Sequence, residues 1–289
     1  MLREALATVT RYTPDDTSVL VIDSASTTHD TREAALAAGV EVVRTDVKGL
    51  SIARNVGLEA TDREIVLYTD DDCVAVEGWI DGILAHFADP AVGAVTGEMI
   101  DPADPPPPSA GVRRFTRVVD GLDAGHGALM AFRRAALVQV GGFDEVLGAG
   151  RVLAGAEDLD IFCRLLDAGW AIVYDPHCVI HHVHTRDDIA YESLYLGYGR
   201  GLGGLAGKWL RMRPLTGLRL LATLVGRNAR RIRRHRGDPR RGPAERAMLR
   251  GIRLGVAAST RMRLRDGRLV DAHPPTPIVL TTAHEEGTR

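Results

Sequence analysis

Residues 70–72 read Asp-Asp-Asp, directly after the apolar run Ile65-Val66-Leu67-Tyr68. Neighbouring carboxylates repel, and each resists ionising beside the others. Two readings relieve the conflict. Asp is common in solvated turns after strands, and a hard divalent cation such as Mg²⁺ or Mn²⁺ prefers oxygen ligands. Three further positions carry chemistry. Asp23 ends the short run Ser18–Ile22, where it either forms a turn or binds a ligand. Glu157-Asp158 opens an amphipathic stretch, where acids complement the helix dipole. His181, His182 and His184 fall on a strand-like stretch that points His182 and His184 to one face.

The elements that must position these groups follow from hydrophobic period. Residues 2–10 carry Leu2, Ala5, Leu6 and Val9 at helical spacing. Strand-like runs at 18–22, 40–43 and 64–69 alternate with helices at 31–38 and 50–60, and Gly39 serves as a C-cap. This alternation implies an α/β fold with a mostly parallel sheet flanked by helices. In such sheets ligands bind beyond the carboxyl ends of the strands, and Asp23 and Asp70–Asp72 fall there. That placement raises the cation reading above the solvated turn. The Pro-rich tract at 101–111 excludes helix and central strand and reads as a surface loop. Residues 128–140 read as a strand passing into a helix stopped by Gly141-Gly142. Residues 157–168 read as a helix, and 171–174 and 178–183 as two strands.

Together these stretches resemble the motifs of family 2 glycosyltransferases, which have the GT-A fold, a Rossmann-like nucleotide-diphospho-sugar architecture. The matching segments are VLVIDSAS (19–26), GLSIARNVGL (49–58), IVLYTDDDC (65–73), GALMAFRRAALVQVGGFDE (127–145), GAEDLDIFCRLLDAGW (155–170) and VIHHVH (179–184). The resemblance implies a site. Asp70 and Asp72 form the DxD pair, with Asp70 and Asp71 near the nucleotide sugar and Asp72, Asp70 and His182 holding Mn²⁺ or Mg²⁺. Asp23 would contact the nucleobase, and Arg54 and Asn55 would line the nucleotide pocket. Asp158 would be the base and Glu157 its tuner or a hold on the acceptor, while Asp160 caps the turn or meets solvent. Gly125–Ala128 and Gly141–Asp144 resemble the donor-sugar and acceptor-loop segments. The implied activity is inverting transfer from a UDP-, GDP- or dTDP-sugar to a lipid-linked or saccharide acceptor.

The chain departs from the family in opening on a helix, without the usual first strand and its Pro- and Asn-containing loop. A start codon placed too late accounts for this; a truncated, non-catalytic relic is the rival reading. A nucleotidyltransferase of similar fold would need a Gly-rich basic loop after a first strand. The processive QxxRW motif is also absent, so one sugar per encounter is expected.

Of 289 residues, 200–268 hold 20 Lys and Arg against 3 Asp and Glu, although the net charge is only −2. We divide the chain into a catalytic domain at 1–200, a basic helical extension at 201–268 and a disordered tail at 269–289. The extension carries Trp209 among leucines and arginines, the composition of a helix lying in anionic headgroups. No recognised nucleic-acid module is present, so nucleic acid is not expected as a partner. The three cysteines show no zinc or disulfide spacing, and no stretch is long enough to span a bilayer. The expected location is cytoplasmic, peripheral at the inner face of the cell membrane.

Overall fold

The computed structural model describes residues 1–101, 111–183 and 191–280. Most of the Pro-rich tract, His184 and the last nine residues lie outside them. Helix α1 (Leu2–Tyr12) buries Ala5, Leu6 and Val9, as its spacing requires. Strands β1 (Leu20–Ser24) and β2 (Glu41–Thr45) pair in parallel, with α2 (Asp30–Ala37) between them in sequence. They form a two-stranded sheet of their own. Helix α3 (Leu50–Glu59) joins this unit to the larger sheet, because its Gly57 lies between Ile22 of β1 and Tyr68 of β3 (Ile65–Thr69). The Tyr68 hydroxyl donates to the Arg54 carbonyl at 3.0 Å.

The larger sheet runs β3, β7 (Leu129–Arg133), β5 (Val92–Ile100), β8 (Ala171–His182), β4 (Cys73–Ala75), with β6 (Arg113–Phe115) also on β8. Only β5 and β8 are parallel in this sheet; the other pairs are antiparallel. The sheet is therefore mixed, not mostly parallel. Antiparallel partners such as β3 and β7 are over 60 residues apart, beyond the reach of local periodicity. The two strands expected at 171–174 and 178–183 are one strand, β8. Its pairing with β5 skips from Thr96–Tyr174 to Glu98–Val179. Pro176 sits in that irregularity, one of the few sheet positions that spare a proline its missing donor.

Apolar side chains fill both faces. One face packs Ile83 of α4 (Asp81–His86), Trp79 and Val9 on Val95, Leu129 and Ile180. The other packs Leu137 of α5 (Arg134–Gln139), Phe143, and Ile161, Phe162 and Leu165 of α6 (Glu157–Asp167) on Met130, Phe132 and Ile172.

The basic segment is folded onto this body. Helices α7 (Tyr191–Met212), α8 (Pro214–Arg234) and α9 (Arg241–Arg261) precede a hairpin of β9 (Arg263–Arg265) and β10 (Arg268–Val270). The boundary drawn at residue 200 falls inside α7. Trp209 is wholly buried with Leu205, Leu220 and Ile252, which overturns its reading as a headgroup anchor. Residues 269–280, expected to be disordered, are docked. Leu269 is buried, Asp271 pairs with Arg151 at 2.9 Å, and the Ile278 carbonyl accepts from Arg44 at 2.7 Å.

Candidate active site

The register of β4 on β8 sets Cys73 opposite His182. That places His182 Nε2 3.2 Å from Asp72 Oδ2. Asp70 follows the last residue of β3, whose partner in β7, Leu129, keeps Gly127 close by. Helix α3 then aims Arg54 into the gap. Buried, Arg54 donates to Glu157 Oε1 at 2.9 Å, to Asp70 Oδ1 at 3.4 Å and to the Gly127 carbonyl at 3.2 Å. Its guanidinium also lies over the Phe143 ring. One cation thus ties the carboxylate run at β3 to the Glu157-Asp158 pair at the start of α6. The terminal nitrogens of Arg54 donate to two carboxylates and a carbonyl in this ligand-free structure.

The first turn of α6 opposes two forces. Its free N–H groups favour carboxylates, while burial disfavours their charge. Burial wins for both acids. It pushes Glu157 to about 6, with Asp158 adding to the rise and Arg54 opposing it. Asp158 is likewise raised, by burial first and against the pull of Arg54. A carboxylate with a raised pKa is a competent proton acceptor near neutral pH.

Other predicted residues hold the frame. Asp23 is buried, accepts the Ser26 N–H at 2.9 Å and pairs with Arg44 at 2.7 Å. Burial would raise its pKa, but Ser26 and Arg44 outweigh that and keep it low. Asn55 spends its amide on the Phe143 carbonyl, the Glu145 carboxylate and the Phe143 N–H. It therefore fixes the 143–145 loop. Desolvation, then the charges of Asp72 and Asp70, raise the Asp71 carboxyl. Asp160 neither caps a turn nor meets solvent: it is fully buried, 2.9 Å from Arg164 and 2.7 Å from Lys208. The expected acceptor loop buries Asp144 on the same lysine, at 2.7 Å.

His126 escaped the sequence reading. Both its ring nitrogens are shielded from solvent and without a hydrogen-bond partner. Burial holds it below the ordinary imidazole pKa, with Asp70 pulling up and His182 pushing down. Its only signal in sequence is a histidine between two glycines. Among the described residues no three His, Cys, Asp or Glu side chains converge as a ready metal cage. The donors nevertheless fit a divalent ion. Asp72 and His182 offer oxygen and imidazole nitrogen, which suit Mn²⁺, and ions at phosphate-transfer sites often use one or two side chains with substrate phosphates completing the shell.

Residues 1–137 match the family model described as glycosyl transferase family 2. That matched stretch, just under half of the chain, makes it similar to glycosyltransferase family 2. A pre-mycofactocin glycosyltransferase of Mycobacterium tuberculosis is 31% identical over 210 residues, 62% of this chain and 43% of that protein. The chain thus spans less than half the length of that relative. An O-antigen chain rhamnosyltransferase of Salmonella typhimurium is 24% identical over 221 residues, 67% of this chain and 68% of that protein. A solved mannosyltransferase from Pyrobaculum calidifontis, in complex with GDP-Man and Mn²⁺, superposes with a TM-score of 0.62 at 20% identity. The superposition covers 88% of this chain and 83% of that one. GalNAc-T7 with UDP, GalNAc and Mn²⁺ gives 0.51 at 17% identity, over 73% and 47% of the two chains. The fold is that of the GT-A glycosyltransferases.

Proposed function

We propose that this chain transfers a sugar from a nucleotide sugar to an acceptor hydroxyl, with inversion at the anomeric carbon. The observation that carries the reading is the Arg54 bridge. It holds a donor-side carboxylate, Asp70, and the base-side pair within one hydrogen-bonded unit. Asp158 takes the acceptor's proton as the oxygen attacks the anomeric carbon. The bond to the diphosphate breaks on the opposite face, and the nucleoside diphosphate departs with the electron pair. Asp72 and His182 would hold a divalent cation, with Asp70 and His126 beside it. When bound, that cation neutralises charge on the leaving diphosphate. Mn²⁺ in both solved neighbours supports this choice. Asp23 and Arg44 stand ready at the nucleoside end.

The place of action in this proposal is the inner face of the cell membrane, on lipid-linked or saccharide acceptors. No helix among the described residues is long and apolar enough to cross a membrane. On α8, Arg227 is tied to Asp123 and Arg231 to Glu245. The outer face instead exposes Leu215 (75%) and Leu218 (57%) near exposed Arg219, with Arg230, Arg233 and Arg234 further along. Apolar and cationic side chains side by side suit an anionic headgroup layer. The deciding experiment is a panel of UDP-, GDP- and dTDP-sugars with Mn²⁺, assayed for nucleoside diphosphate release with and without saccharide acceptors. Release that depends on both acceptor and cation is expected. Release that persists unchanged in EDTA would remove the cation from the reading.

A further inference from the structure

Helix α7 lies between two very different neighbours. One face carries Gly199, Gly203 and Gly207, four residues apart. A Cβ on Gly199 would run into the Met248 carbonyl, and one on Gly203 into the Ile252 carbonyl. Gly255 of α9 is equally tight against the Arg200 carbonyl. The two helices therefore touch backbone to backbone, and α7 has no room to retreat. A second face carries Gly197, Gly201, Gly204 and Lys208, the spacing of one helical stripe. It rests on residues 153–160. Gly197 meets Ala154, Gly201 meets the backbone of Gly155, and Gly204 meets the Leu153 side chain. Lys208 closes the stripe, 2.7 Å from both Asp160 and Asp144 with all three side chains fully buried.

The segment so gripped is the one that launches α6. Gly155 has φ 144° and Ala156, the N-cap, has φ 61°. A non-glycine residue holds a left-handed conformation only where its surroundings impose it. The Ala156 carbonyl then accepts the Asp160 N–H at 2.9 Å, starting the turn that contains Glu157 and Asp158.

We propose that α7 is the positioning element of the proposed base: Gly201 and Lys208 fix the 153–156 loop and the back of α6, and thereby where Asp158 stands. The inference rests on the transferase reading above. Gly201 and Lys208 are positioning residues, acting through Gly155 and Asp160 without touching substrate.

The test uses the full chain carrying Gly201→Ala, with Gly197→Ala as the matched control. A Cβ at 201 would meet backbone, whereas one at 197 has its nearest neighbour at an ordinary 3.5 Å. Gly201→Ala is expected to lower kcat at least tenfold while donor Kd by calorimetry and acceptor KM stay within twofold. Gly197→Ala is expected to stay near wild type in all three. Equal losses of kcat in the two variants, or a loss in donor Kd matching that in kcat, would overturn the proposal. Should Gly201→Ala fail to fold, Gly204→Ala presses only on the mobile end of Leu153 and carries the same expectation at smaller amplitude. Amide hydrogen exchange separates this proposal from the transferase reading. Gly201→Ala must speed exchange at residues 155–160 and leave 20–24 and 65–69 unchanged, whether or not any sugar nucleotide turns over. Unchanged exchange at 155–160 sinks the clamp even if transfer is confirmed; absent turnover with the expected exchange sinks only the transferase reading.

Discussion

The two carboxylate groups of the site live under opposite conditions. Asp70 and Asp72 keep side-chain exposures of 36% and 23%, while Glu157 keeps 9%. The first group follows an antiparallel strand pair at the edge of a loop, where water or a ligand reaches it. In the second, Glu157 is buried and Asp158 partly buried, with Arg54 as counter-charge. The same functional group is thus set two tasks by solvation alone. Carboxylates open to solvent can be reached by a cation; a buried pair is pushed toward neutrality and can take up a proton.

The comparison breaks most sharply at Asp158. Asp158→Asn keeps the shape of the turn and removes the acceptor of the proton. Transfer should fall on the order of 10²–10⁴-fold, the usual contribution of a positioned base, while calorimetry finds donor binding intact. Donor binding lost together with near-normal transfer would reverse the assignment.

Asp72→Asn tests the open side. We expect turnover to fall about a hundredfold, ~3 kcal/mol, consistent with the several kcal/mol a Lewis-acid cation supplies. Its signature is a raised Mn²⁺ requirement, read by titrating activity against the ion. An unchanged Mn²⁺ dependence would move the ion elsewhere.

Glu157→Gln sharpens the contrast through pH. Asp158 then loses its adjacent like charge, with only Asp70 remaining to raise it, and Arg54 loses its closest partner and turns to Asp158. Both changes favour ionised Asp158, so the acidic limb of kcat should move to lower pH. Stability responds too. The Glu157 pKa in the fold, about 6, lies above its ordinary 4.5. Its protonated form therefore favours the folded chain below about pH 4.5, and that contribution fades as pH rises through about 6. Urea unfolding of Glu157→Gln across this window should lack the fade.

The smallest effect belongs to the basic face. A single Arg230→Gln should weaken partition onto anionic vesicles about fivefold, since each surface cation contributes ~1 kcal/mol. High salt should release the wild type as the Debye length falls to about 3 Å at 1 M. A chain that ignores anionic vesicles at low salt has no membrane face on α8.

How much of this was written in the sequence varies with range. Helices α3 and α6 and strands β3 and β7 were legible, because period and stop signals are local. So was the gathering of Asp70, Asp72, Glu157, Asp158 and His182, through motif resemblance. The mixed sheet was not legible, because strand direction depends on partners far along the chain. Nor were the carboxylate partners of Arg54. An arginine in a helix reads alike whether it faces solvent, phosphate or a buried acid, and only the docking of α6 decides. Trp209 misled for the same reason. In an arginine-rich stretch it resembles part of a surface helix, yet the glycines around it let α7 sink between α9 and the 153–155 loop.

Those glycines carry a last consequence, for the order in which the chain is completed. Helix α7 contains six of them in 22 residues. Each costs a helix about 1 kcal/mol relative to alanine, so α7 alone is a poor helix. It becomes worthwhile only when α9, about 50 residues later, is there to meet it. On the ribosome, the α6 turn would therefore emerge long before the element that holds it. The turn that holds Glu157 and Asp158 would stay loose until α9 has been made.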